Sequence, residues 1–270
     1  MRNIINARPR NTDVIDLNRR EGMSRLTAFA AAAMTRGMWA APLAMASSSA
    51  LANGGWGEDC VLSPEGRTGP FYTALNLFRS DVRDGKTGVI LDLSLRVRNA
   101  ACSPLTGAAV AIWSCDSRGM YSEYPNISPD VPGYTPVPLG QLPLEAPHYP
   151  EQTLAENFLR GVQMTDGHGR VSFRAIFPAW YATRTPHIHV KVYPGGSVGA
   201  TAAYTGQLYF PEIVNVNVLS TPAYSGRSVA RDTWNATDRH FVAMGGEKNM
   251  LDIRTTSIGL EGRKSLTVPV

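Results

Sequence analysis

The sequence predicts a mainly β protein with long loops, arranged as a sandwich, on three observations. Hydrophobic residues alternate with period two, Gly- and Pro-rich gaps separate the alternating runs, and long amphipathic helical patterns are scarce. Val89, Leu91, Leu93, Leu95 and Val97 alternate with Ile90, Asp92, Ser94, Arg96 and Arg98, the pattern of a half-buried strand. Ser103-Pro104-Leu105-Thr106-Gly107 reads as a turn and 108–115 as the following strand. Further strands are expected at 171–177, His187–Tyr193 and 203–210, each bounded by Gly, Pro or Asp-Gly turns. No internal repeat is visible.

The first 52 residues read as a leader separate from a folded domain at 53–270. They hold Arg2, Arg8, Arg10, Arg19, Arg20, Arg25 and Arg36 against Asp13, Asp16 and Glu21. An Ala-rich apolar run then ends in Ala50-Leu51-Ala52, an A-x-A cleavage pattern. This predicts a signal peptide and export to the periplasm or the extracellular space, with Arg19-Arg20 pointing to the twin-arginine route. Glu21-Gly22 and the interrupting Arg36 depart from that route's pattern, so general secretion and a start at Met23 stay open. Arg36-Gly37 also leaves no continuous apolar run of about 18 residues, which argues against a stable membrane anchor.

The chain carries 26 basic and 22 acidic residues; the leader holds seven and three of them, leaving 19 of each. The basic balance therefore belongs to the leader, and without a basic stripe interleaved with aromatics a nucleic-acid partner is excluded. Cys60, Cys102 and Cys115 permit one disulfide and one free thiol. Cys102 in a turn and Cys115 at the end of the next strand should be roughly 25–30 Å apart at about 3.3 Å per residue. Cys60 with Cys102 is then the first pairing to expect, and three separate buried thiols are an equal alternative.

Most of the chemistry is concentrated in Phe177-Pro178-Ala179-Trp180-Tyr181-Ala182-Thr183-Arg184-Thr185-Pro186-His187-Ile188-His189. Alternate side chains of a strand share a face, so His187 and His189, about 7 Å apart at Cα, can converge on one ion. The upstream phenol of Tyr181 adds a hard anionic oxygen, which suits a ferric ion better than Zn²⁺ or Cu⁺. Arg184, three residues before His187, sets a permanent cation beside an anionic ligand or substrate. His148, in a Pro-rich segment, His168, in an Asp-Gly-His-Gly turn, and His240 read as surface residues. Trp113 and Trp180 read as core, with Trp180 also placed to wall a pocket.

These residues, with Phe158-Leu159-Arg160-Gly161-Val162-Gln163-Met164-Thr165-Asp166, resemble the signature of the intradiol ring-cleavage dioxygenases, near the protocatechuate 3,4-dioxygenase β-subunit type. Gly69-Pro70-Phe71-Tyr72, Arg79-Ser80-Asp81-Val82-Arg83, the stretch from Gly107 through Trp113-Ser114-Cys115-Asp116 to Ser122, and Thr205-Gly206-Gln207-Leu208-Tyr209-Phe210-Pro211 match in order. The resemblance implies a two-sheet β-sandwich with iron at one end. It implies Fe³⁺ held by Tyr121, Tyr181, His187 and His189, with Arg184 stabilising substrate charge and Gln207 beside it. Tyr181 would leave the metal as a catechol binds and act as a base. A catecholic substrate would then be cleaved by O₂ between its hydroxylated carbons to a cis,cis-muconate. Tyr72 is a pocket residue by resemblance.

Three departures stand out. Ala179 replaces a glycine and would strain the turn if positive φ were needed there. Ser114 stands where histidine is frequent. Glu123 follows Tyr121-Ser122 where glycine is frequent, and if turned inward would put negative charge at the site mouth. The Pro-rich segment 124–152, long for a loop in a compact domain, is expected either to fold over the site or to lie on the surface without substrate contact. Two competing readings are an exported β-sandwich binding module with a retained, non-catalytic metal site, and a zinc hydrolase on His187 and His189. The second lacks a third ligand of suitable spacing.

Overall fold

Period-two alternation resolves into two four-stranded sheets. The computed structural model describes residues 60–124, 156–227 and 229–270. The leader with Arg19-Arg20 and Ala50-Leu51-Ala52, and the Pro-rich segment from residue 125 onward with His148, lie outside the described residues. The strands are β1 (Ile90–Arg98), β2 (Ala109–Trp113), β3 (Arg160–Met164), β4 (Arg170–Ile176), β5 (His187–Tyr193), β6 (Tyr204–Tyr209), β7 (Asp252–Thr255) and β8 (Gly259–Thr267). One sheet runs β4-β1-β8-β7 and the other β3-β2-β5-β6. Helices α1 (Glu212–Leu219), α2 (Pro222–Ser225) and α3 (Arg239–Ala243) follow β6. No helix among the described residues is long and apolar enough to cross a membrane.

The core lies between the sheets. Leu91, Leu93, Leu95 and Val97 of β1 and Phe173 of β4 meet Val110 and Ile112 of β2, Ile188, Val190 and Val192 of β5 and Leu208 of β6. Each such fully buried aliphatic side chain contributes about 1.5–3 kcal/mol. Because β1 keeps its apolar residues on odd numbers, a one-residue slip against β4 would turn all of them outward, which fixes the register.

The expected strands form, with 108–115 shortened to β2 and 203–210 to β6. Strands β3, β7 and β8 and helix α1 were not expected. Arg160-Gly161-Val162-Gln163-Met164 is short and mixed, and β8 breaks its alternation with Gly262, which packs close to Leu91. Cys60 and Cys102 form a disulfide with Cα atoms 5.7 Å apart, and Cys115 is a buried free thiol.

Candidate metal centre

Even-numbered residues of β5 fill the core, so its odd-numbered residues face away from the opposite sheet, on the outer face of their own. Register then builds a row across four strands: Arg160 lies opposite Trp113, Trp113 opposite His189, and His189 opposite Gln207. His187 lies opposite Tyr209 in the next row. Cross-strand neighbours on one face touch, and the Trp113 and His189 rings stack at 4.7 Å and 9°. Trp113, expected as simple core, is thus a wall of the site.

Two turns deliver the tyrosines. Asp116 accepts at Oδ1 from the amides of Arg118 (2.9 Å) and Met120 (3.0 Å), curling 116–120 so that Tyr121 points back to the sheet. Gly119 adopts φ +83°, and a Cβ there would come within 2.6 Å of the Trp180 carbonyl oxygen. Tyr121 and Tyr181 each open a four-residue turn whose third residue has positive φ, Glu123 at 68° and Thr183 at 69°. Each turn closes with an amide donated to the tyrosine carbonyl, from Tyr124 (3.2 Å) and Arg184 (2.8 Å). The common glycine at position 123 is explained by this conformation.

The four candidate ligands converge. His187 Nδ1 donates to the Thr185 carbonyl (2.7 Å), and since a carbonyl can only accept, Nε2 carries the free lone pair. That nitrogen lies 3.1 Å from His189 Nε2 and 3.2 Å from Tyr181 Oη. The ring centroids of Tyr121 lie 5.7 Å from Tyr181 and 6.1 Å from His189, and its buried hydroxyl makes no hydrogen bond. Phe71 stacks on Tyr121 at 4.3 Å and meets Tyr181 edge-on at 5.9 Å.

Burial disfavours charge on all four. It pushes Tyr181 up to about 12 against the pull of Arg184, and drives Tyr121 well above the ordinary phenol range, with Tyr181 adding to the effect. Burial, then Arg184, lowers His187 far below the ordinary imidazole value, and burial, then His187, does the same for His189. Two neutral imidazoles with converging nitrogens and a phenol that makes no hydrogen bond are a donor set suited to a cation. A bound trivalent ion would invert the preference of the phenols and hold them as phenolates. The residues present therefore fit a ferric ion. Among the described residues no cluster of three or more His, Cys, Asp or Glu exists.

Arg184 and Gln207 stand beside the ligands. Arg184 Nη2 donates to Gln207 Oε1, which also accepts from Tyr209 Oη (2.8 Å), while Gln207 Nε2 donates to the Arg67 carbonyl (3.0 Å). Burial works against the Arg184 charge, but Tyr181, Asp238 and Tyr209 outweigh it and hold the guanidinium protonated. Tyr72 packs on Trp113 at 4.8 Å, hydrogen-bonds Tyr193 and lines a small cleft with Trp113 and Arg160.

Several expectations change. Ala179 needs no positive φ; its amide donates to the Asp116 carbonyl (3.1 Å), so alanine costs the turn no strain. Glu123 is buried, and its charge acts on Arg160 rather than standing free at the mouth. His168 is exposed as expected, whereas His240 is half-buried and feels the charges of Arg184 and Asp238. Sequence reading missed Asp238, Tyr209, Phe71 as a wall, and Arg160. A buried arginine demands an acidic partner, but nothing local singled Asp238 out from the other acidic residues.

Searches of protein-family models and of curated proteins found no match. Solved structures do match. An intradiol ring-cleavage dioxygenase from Tetranychus urticae superposes with a TM-score of 0.65 at 29% identity, covering 78% of this chain and 95% of that one. A second dioxygenase crystal structure gives a TM-score of 0.66 at 30% identity over the same shares. A dioxygenase relative at 30% identity, followed along nearly its whole length, shares the sandwich just described, and the chain belongs to the intradiol ring-cleavage dioxygenase family.

Proposed function

We propose that the protein is a non-haem Fe³⁺ intradiol dioxygenase that opens the ring of a catecholic substrate between its two hydroxylated carbons, giving a cis,cis-muconate. The observation that carries this reading is the convergence of His187 Nε2, His189 Nε2 and the Tyr181 hydroxyl, with the orphaned Tyr121 phenol beside them. Tyr121, Tyr181, His187 and His189 would hold the metal, which when bound would supply Lewis acidity toward the catechol. Tyr181, raised to about 12, is a strong base once ionised and takes a catechol proton at Oη. Arg184, kept charged, faces the negative charge that develops on the substrate. Gln207 and Tyr209 fix its Nη2 end, and Phe71 and Trp113 give the site apolar walls.

Oxygen uptake by iron-loaded protein with catechol, protocatechuate, hydroxyquinol and alkylcatechols tests the proposal. Uptake with at least one of them, with both atoms of ¹⁸O₂ in a ring-opened product, is the expected result. Absence of uptake across the panel from fully loaded protein would make the chain a binding module instead.

We also propose that residues 1–52 are a signal peptide removed before Asn53 and that 53–270 is the exported catalytic domain. The Cys60–Cys102 bridge supports an oxidising destination. N-terminal sequencing of exported protein should begin at Asn53, and a cytoplasmic, uncleaved product would refute it.

A further inference from the structure

Every residue of the Thr183-Arg184-Thr185 turn is tied to one distant segment, 231–238. The Thr183 amide donates to the Asp232 carboxylate at 3.3 and 3.2 Å. Thr185 Oγ1 donates to Asn235 Oδ1 (2.8 Å) and accepts from Arg231 Nη2 (3.0 Å). Between them Arg184 Nε donates to Asp238 Oδ2 (2.9 Å), and the Thr185 amide donates to the same oxygen (3.0 Å). The other carboxylate oxygen, Oδ1, accepts from the amides of His240 (2.8 Å) and Phe241 (3.1 Å) at the start of α3. Asp238 is fully buried and Arg184 nearly so.

We propose that Asp238 is the positioning residue for Arg184: it anchors the guanidinium by Nε to the C-terminal segment and so aims its other nitrogens at the substrate. This rests on the reading of Arg184 as the group that stabilises substrate charge. The chemistry demands a carboxylate. All four partners of Asp238 are N–H donors, so both oxygens must be acceptors. An asparagine can satisfy one side alone. Its oxygen caps α3 as well as aspartate does, which leaves its NH₂ facing two other donors, Arg184 Nε and the Thr185 amide. The helix end is kept and Arg184 is released. Fixing by Nε also leaves the Nη edge for Gln207, Tyr209 and substrate.

The test is a double-mutant cycle of Asp238→Asn and Arg184→Ala in full-length, iron-loaded protein. Iron content, the visible spectrum, the melting temperature and catechol-analogue binding are measured beside kcat and KM. Arg184→Ala should lower kcat by about 10² to 10³, and Asp238→Asn by about 10² through misplacement of the same group. Asp238→Asn should keep its iron, with KM changed little. In the double mutant kcat should equal that of Arg184→Ala, because a residue acting through Arg184 has nothing further to lose. If Asp238→Asn misfolds, Asp238→Ser, which also caps the helix, takes its place. Costs that multiply in the double mutant, or iron lost in proportion to activity, would overturn the proposal and make Asp238 structural. Normal kcat in Asp238→Asn with Arg184→Ala inactive would do the same, whereas normal kcat in Arg184→Ala would instead overturn the role given to Arg184.

Discussion

Burial opposes protonation of His187 and His189, with Arg184 adding to it at His187 and His187 adding to it at His189, and burial likewise opposes ionisation of Tyr121 and Tyr181. A site built from groups that all resist charge is ready for a cation that supplies its own. Acid should loosen it. His240, half-buried nearby, is held at about 4 by burial first and Arg184 second, against an ordinary value of 6.5. A histidine lowered in the folded state gives stability that is complete above about 6.5 and is lost as pH falls from there through about 4. Metal-free protein should therefore show a melting temperature that declines across that window, and His240→Gln should flatten part of the decline while changing little at pH 8. An equal slope with and without His240 would show that its environment in the unfolded chain is no different.

At the scale of elements, the centre depends on turns that place side chains from opposite directions onto one strand. Gly119 is the tightest point: its φ of +83° suits glycine, and a Cβ would be forced onto the Trp180 carbonyl. Gly119→Ala should cost about 1–3 kcal/mol of stability and shift the visible band as Tyr121 moves relative to Tyr181. A melting temperature and spectrum equal to the parent's would mean that the turn relaxes freely. The same elements explain what was legible beforehand. The His187 and His189 pairing rests on period two, a local property, and Tyr181 and Arg184 lie on the same short stretch, so that half of the site could be read directly. Tyr121 and Gln207 came through resemblance. The row Arg160, Trp113, His189, Gln207 depends on register between four strands, and the Asp238 contact spans 54 residues; neither leaves a local trace. Strand β8 was hidden because Gly262 takes an inward position where alternation calls for a large apolar residue.

Across the whole molecule, the sandwich core and the candidate metal centre occupy opposite faces of the β3-β2-β5-β6 sheet, so the site can be altered without emptying the core. The Cys60–Cys102 bridge closes a separation of 42 residues, which by loop entropy stabilises the fold by about 4 kcal/mol. Cys60→Ser with Cys102→Ser should lower the unfolding free energy by roughly 2–4 kcal/mol while iron content at 25 °C stays unchanged. Unaltered stability would show that the unfolded chain is already compact across that loop. On the proposed function, two phenolates and two imidazoles hold one ferric ion. Metal analysis of the purified protein, read with its visible spectrum beside that of Tyr121→Phe, tests this most directly. The expected result is about one iron per chain, a red-brown tyrosinate-to-iron band, and loss of iron and band together in Tyr121→Phe. Stoichiometric zinc in active, colourless protein, or full colour and turnover in Tyr121→Phe, would contradict it.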